Sequence, residues 1–187
     1  SSGASSIIEG YLKRGEPRKA ESYLPYLRSN LFDLWGIGRY RGKVAWAMIK
    51  AGKEKDAQKL MKSTPITPKY DQKEKMYQSL CYEAVDDGDF TRALEFMEKT
   101  QDDGWRADCV SAIAQAQIKE KRYDEALKIL SDHLQLKYYN AEWGYMSLFE
   151  LWFQIVNALD AEGNRSRALA VLDETAQAVL AKKDLEQ

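Results

Sequence analysis

Five times along this chain a turn residue is followed five positions later by alanine: Gly15/Ala20, Gly52/Ala57, Gly88/Ala93, Lys121/Ala126 and Gly163/Ala168. Lys121 is the one departure from glycine. The alanines stand 37, 36, 33 and 42 residues apart, which is the period of a helical-hairpin repeat. A single hairpin cannot hide its apolar face, so each unit stacks on the next and the array presents an extended surface.

Aligning the units on the turn residue exposes the helical stripes. Eight positions upstream stand Ile7, Val44, Leu80, Ile113 and Ile155; seven upstream, Ile8, Ala45, Cys81, Ala114 and Val156. Four upstream stand Tyr11, Met48, Ala84, Gln117 and Leu159. Spacings of one, three and four place these on one helix face. Past the turn, Leu94, Leu127 and Leu169 follow the alanine, and Leu24, Met61, Met97, Leu130 and Leu172 stand four beyond it. They form the facing stripe of a second helix.

No stretch alternates as a strand does, and Ala, Leu, Lys, Glu and Gln dominate between the glycines, so the chain reads as all-α. First helices are expected over 5–14, 31–51, 71–87, 105–119 and 141–162, and second helices over 17–29, 54–63, 90–101, 123–135 and 165–183. The five units, about 5–29, 31–63, 70–101, 105–135 and 141–183, form one repeat domain spanning 1–187. Glycine closes a helix in the left-handed conformation without a Cβ penalty. Pro17 then suits the first turn of the following helix. Gly36-Ile37-Gly38 with Gly42 has no preceding strand, so it reads as a close helix crossing and not a dinucleotide loop.

Composition narrows the function. Lys plus Arg total 28 against 29 Asp plus Glu, for a net charge of -1, whereas phosphate-neutralising proteins carry a basic excess. Nucleic acid is therefore not expected. No apolar run approaches a membrane span. Cys81 and Cys109 lie inside helical patterns and form no CxxC, so they read as reduced, buried thiols in a cytoplasmic protein. His133, the one histidine, has no nucleophile near it in sequence and reads as a helix-end residue. Asp86-Asp87 and Asp102-Asp103 head no calcium loop. No catalytic, metal or cofactor residue is assigned, and the chain reads as a non-enzyme. Its opening Ser1-Ser2-Gly3-Ala4 looks like a cloning scar, and the short first helix suggests excision from a longer protein.

Gly88-Asp89-Phe90-Thr91-Arg92-Ala93-Leu94-Glu95 resembles the turn and second helix of a tetratricopeptide repeat, and Lys121-Arg122-Tyr123-Asp124-Glu125-Ala126-Leu127 is similar with the glycine lost. Leu80 and Trp152 stand where that family often puts a first-helix Leu and Trp. The resemblance covers nearly the whole chain, best in the second to fourth units. The closing proline is missing apart from a rough match at Pro68, and the spacing wanders from the usual period of about 34. A divergent TPR-like, right-handed α-solenoid with uneven stacking is implied.

The resemblance also implies a groove lined by first helices. The lining positions, carried onto this sequence, are six upstream Trp46, Tyr82, Gln115 and Asn157, and ten upstream Gly42, Gln78, Ser111 and Phe153. Two upstream stand Lys50, Asp86, Lys119 and Ala161, with Arg39 and Lys75 at the outer position. Of these, Trp46, Lys50, Lys75, Gln78, Tyr82, Ser111, Gln115, Lys119, Phe153 and Asn157 are expected to contact a protein or peptide partner: aromatics as anchors, amides for its backbone, cations for its acidic groups. The carboxylate clamp of chaperone-binding members is not reproduced. Competing readings are a regulatory domain responding to a small ligand or signal peptide, and, less favoured, an RNA-binding helical repeat. Phe149, Trp152 and Tyr145 read as a core stripe; Tyr138, Tyr139 and Trp143 as a patch for a partner or a plug in the longest repeat step.

Overall fold

The computed structural model describes residues 3–27, 34–65, 72–133 and 148–184, and every regular element among them is helical. Backbone contacts gather the chain into two units, residues 1–101 and 102–187. The first contains α1 (Gly3–Lys13), α2 (Pro17–Ser22), a 3-10 turn at Leu24–Tyr26, α3 (Leu34–Lys50), α4 (Glu54–Lys62), α5 (Gln72–Asp86) and α6 (Phe90–Met97). The second contains α7 (Asp103–Lys119), α8 (Tyr123–Asp132), α9 (Leu148–Ala161) and α10 (Arg165–Asp184). Consecutive helices pair as hairpins: α1 with α2, α3 with α4, α5 with α6, α7 with α8, α9 with α10.

All five turn residues adopt the left-handed conformation, with φ of 69° at Gly15, 70° at Gly52, 74° at Gly88, 80° at Gly163 and 62° at Lys121. Each turn is closed the same way. The Gly88 N–H donates to the Val85 carbonyl at 3.0 Å and the Asp89 N–H to that of Ala84 at 2.8 Å. At the fourth turn Lys121 and Arg122 donate likewise to Ile118 at 2.9 Å and Gln117 at 2.8 Å. This double closure satisfies carbonyls that the helix end leaves open. Asp89 then caps α6 by accepting from the Arg92 N–H at 3.1 Å, and Asp102 caps α7 by accepting from that of Trp105 at 2.9 Å.

The alanines after the turns are buried, as are Val44, Leu80, Ile113 and Ile155; Ile7 is the exception at 42% exposed. Ion pairs join second helices within each unit: Arg18 to Asp56 at 2.7 Å and Arg92 to Glu54 at 3.6 Å in the first, Arg167 to Asp124 at 2.8 Å in the second.

Several expectations need correction. The second helix of the first hairpin ends at Ser22 and gives way to the 3-10 turn, because Pro25 lacks an N–H and biases Leu24 away from the α region. α6 stops at Met97, whose carbonyl accepts from the Thr100 hydroxyl at 2.7 Å. On α10 the expected apolar stripe is not covered: Leu169 is 55% and Leu172 36% exposed. Phe149 stacks on buried Trp152 at 5.5 Å as part of the expected core stripe; Tyr138, Tyr139, Trp143 and Tyr145 lie outside the described residues. Cys81 and Cys109 are buried free thiols. The His133 ring hydrogen-bonds through Nδ1 to the Ile129 carbonyl at 3.0 Å, at the end of α8.

Two of the three glycines of α3, Gly38 and Gly42, do act at a close crossing, whereas Gly36 does not. A Cβ on Gly42 would lie 2.6 Å from the Ser79 Cβ and 2.7 Å from the Met76 carbonyl oxygen; one on Gly38 would lie 2.5 Å from that of Gln72. The Ser79 hydroxyl also donates to the Arg39 carbonyl at 2.9 Å. α3 and α5 are thereby drawn together along their length.

Candidate functional site

Where α3 and α5 meet, their outward edges leave a cleft of about 530 Å³. Arg39 and Lys43 rise from α3, and Lys75, Gln78, Tyr82, Glu83 and Asp86 from α5, while Gly36 contributes no side chain to block it. Residues 75, 78, 82 and 86 fall three or four apart, so one face of α5 forms a wall. Along it the Lys75 ammonium donates to the Gln78 side-chain oxygen Oε1 at 2.6 Å, and the Gln78 side-chain amide nitrogen donates to the Tyr82 hydroxyl at 3.3 Å. These bonds hold the three side chains in fixed order.

Lys43 sits between two carboxylates, 2.8 Å from Glu9 on α1 and 4.0 Å from Glu83. Burial pushes the Glu83 carboxyl above its ordinary range; Lys43 opposes this, and the charges of Asp86 and Glu9 add to it.

Of the five expected contact residues in this unit, Lys75, Gln78 and Tyr82 line the cleft. Lys50 is exposed but salt-bridged to Asp87 at 2.7 Å. Trp46 lies elsewhere: it is 3% exposed, edge-on to Phe96 at 6.1 Å, with its indole N–H donating to Asp87 at 2.6 Å. Its ring belongs to the core and offers no free face to a partner in this conformation.

In the second unit Ser111, Gln115 and Lys119 follow one another at i, i+4 along α7, and Phe153 and Asn157 along α9, which packs on α7. Ser111 is buried and accepts from the Gln115 amide at 3.1 Å. Gln115, Lys119 and Asn157 are exposed, and Phe153 is 52% exposed. A smaller cleft of about 390 Å³ lies among Lys121, Tyr123, Asp124, Glu162 and Arg167. Its charges are already matched, Lys121 to Glu162 at 2.8 Å and Arg167 to Asp124 at 2.8 Å, so it reads as a hairpin junction.

Repeat alignment missed Lys43 and Glu83 as cleft residues. The available signal was helical spacing, since Lys43 stands four residues beyond the lining position Arg39, and Glu83 eight residues, about two turns, beyond Lys75. Among the described residues no group of three or more His, Cys, Asp and Glu is placed to hold a metal, and no helix is long and apolar enough to cross a membrane.

Residues 84–143 match the family model of the tetratricopeptide repeat. No curated protein matches the sequence. Similar solved structures include two crystal structures of nearly identical TPR-like repeats, described as kinesin light chain, from Podosopora anserina. One, a single-residue variant, is 17% identical over 97% of this chain and 95% of its own, with a TM-score of 0.38. The other is 18% identical over 96% and 94%, with a TM-score of 0.38. The matched segment runs from the end of α5 past the end of α8, and the described residues form five helical hairpins closed by the same left-handed turn, a TPR-like arrangement.

Proposed function

We propose that this chain is a non-catalytic interaction scaffold whose α3–α5 cleft grips an extended segment of a partner protein. Tetratricopeptide repeats mediate protein–protein interaction, and that is the coarse function of the fold. The observation that carries the finer reading is the cleft itself. It is open and of ligand-binding size, and in the ordered Lys75–Gln78–Tyr82 row the buried Gln78 amide braces a half-buried cation and a half-buried aromatic ring, which are what the row presents to a partner. Such a row can stack on an apolar side chain and hydrogen-bond a peptide backbone.

The test is selection of peptides from a random display library against the whole chain. Enriched peptides are expected to lose at least about tenfold in affinity on Tyr82→Ala, with the melting temperature of the variant unchanged. Peptides that ignore Tyr82→Ala but are lost on Phe153→Ala would move the site to the second unit and overturn this reading.

A further inference from the structure

Charge is sorted along the cleft. α3 and α5 run parallel: Gly38 lies against Lys75, Gly42 against Ser79, and Lys50 reaches Asp87, each pair 37 residues apart. On that register Arg39 is level with residue 76, so Arg39 and Lys75 share the N-terminal end of the cleft. Glu83 and Asp86 share the C-terminal end, with Gln78 and Tyr82 between. Ten residues of helix separate the level of Arg39 from Asp86, or about 15 Å at 1.5 Å per residue. Lys43, midway, is held by Glu9.

Arg39 and Asp86 are both exposed, and the side chain of neither makes a hydrogen bond or ion pair with another described residue. For Asp86 this is contrary to folding stability. It is the last residue of α5, where the helix dipole disfavours an anion, and it lies near enough to Glu83 to raise that carboxyl's pKa. Its neighbour Asp87 is satisfied by Lys50 and Trp46; Asp86 is not. A cation arriving from outside would relieve both carboxylates, and an anion would find Arg39 ready at the opposite end.

We infer that the cleft selects an extended peptide carrying an acidic and a basic residue about four to five positions apart, the acid placed at Arg39 and the base at Asp86. The spacing follows from about 15 Å divided by about 3.3 Å per extended residue. This inference rests on the peptide-binding reading of the same cleft, so its test separates the two. The peptides enriched against the unmodified chain are sequenced, and the same library is selected again on Asp86→Lys and on Arg39→Glu. A lysine in place of Asp86 suits a helix C-terminus, so that variant is expected to fold.

The expected result is paired opposite charges at the stated spacing. On Asp86→Lys the basic position should turn acidic, and on Arg39→Glu the acidic position basic, with each variant preferring its own peptides by about tenfold, or 1.4 kcal/mol. Peptides that depend on Tyr82 but show no charge pairing, or whose pattern is the same on all three proteins, would overturn the inference and leave the site standing. Absence of any enrichment, or indifference to Tyr82→Ala, would overturn both.

Discussion

The indole nitrogen of Trp46 lies 2.6 Å from Oδ2 of Asp87, forty-one residues away, and that oxygen also accepts from Lys50 at 2.7 Å. One carboxylate at the end of α5 thus holds two side chains of α3, one buried and one exposed. Trp46→Ala removes a 3%-exposed ring that packs on Phe96 and is expected to cost about 3–5 kcal/mol of unfolding free energy. Tyr82→Ala, at the partly exposed cleft wall, should cost far less. Denaturant unfolding of both variants checks the contrast. Equal costs would mean that Trp46 is not a core residue.

Two acidic groups, Glu83 on α5 and Asp87 just past its end, titrate in opposite senses. Asp87 is held below its ordinary pKa, first by the Lys50 hydrogen bond and further by the Trp46 N–H, with burial opposing. Its contribution is therefore present above the unfolded-state value of about 3.9 and lost as pH falls through the lower folded value. Glu83 is raised, chiefly by burial. Its ionisation consequently costs stability, increasingly as pH rises from about 4.3 through the higher folded value. Asp87→Asn should destabilise at neutral pH and Glu83→Gln should stabilise there, with both effects vanishing at acid pH. Unfolding curves at a series of pH values read both directions, and parallel shifts at all pH would contradict the assignment.

The turns were legible because a left-handed residue closing a helix has a local chemical requirement that glycine meets. Even Lys121, with no glycine to mark it, was found by register alone. The close crossing at Gly38 and Gly42 was legible for a similar reason, since small residues four apart admit a neighbouring backbone. Trp46 was not. Repeat alignment places it level with Tyr82, yet its burial depends on Phe96 and Asp87, which no local pattern links to it. Arg39 and Asp86 could be read as lining positions, whereas the lack of side-chain partners for either among the described residues is visible only once the surroundings of each are known.

The two kinds of glycine in α3 make a paired test. Gly42→Ala puts a Cβ within 2.7 Å of the Met76 carbonyl oxygen and 2.6 Å of the Ser79 Cβ, so α5 must shift. Overpacking of this sort costs about 1–3 kcal/mol, more than the roughly 1 kcal/mol that alanine gains in helix propensity. At Gly36 a Cβ meets nothing within 4 Å, so Gly36→Ala should be neutral or stabilising by at most about 1 kcal/mol. Thermal unfolding of the two variants decides. A harmless Gly42→Ala would show that the crossing is looser than its geometry implies.

At the fourth turn Lys121 has a φ of 62°, a conformation that costs a non-glycine residue about 1–2 kcal/mol. It also pairs with Glu162, but both side chains are exposed, and such pairs contribute little. Lys121→Gly should therefore raise the melting temperature. Lys121→Ala, which keeps the strain and loses the pair, should not. The opposite ranking would mean that the ion pair outweighs the backbone strain.

Leu130 and Leu172 stand nine residues after their respective turns, so a purely sequence-based reading treats them alike. Leu130 is fully buried, on a helix that packs against α9, whereas Leu172 is 36% exposed on α10. Burial, and not repeat position, should set the response. Leu130→Ala is expected to cost about 2–5 kcal/mol, as for a core leucine, and Leu172→Ala no more than about 0.5 kcal/mol, as for a surface site. Denaturant unfolding measures both. A Leu172→Ala cost approaching that of Leu130→Ala, or one that grows with protein concentration, would show that this face of α10 is covered in solution, by further packing or by association between chains.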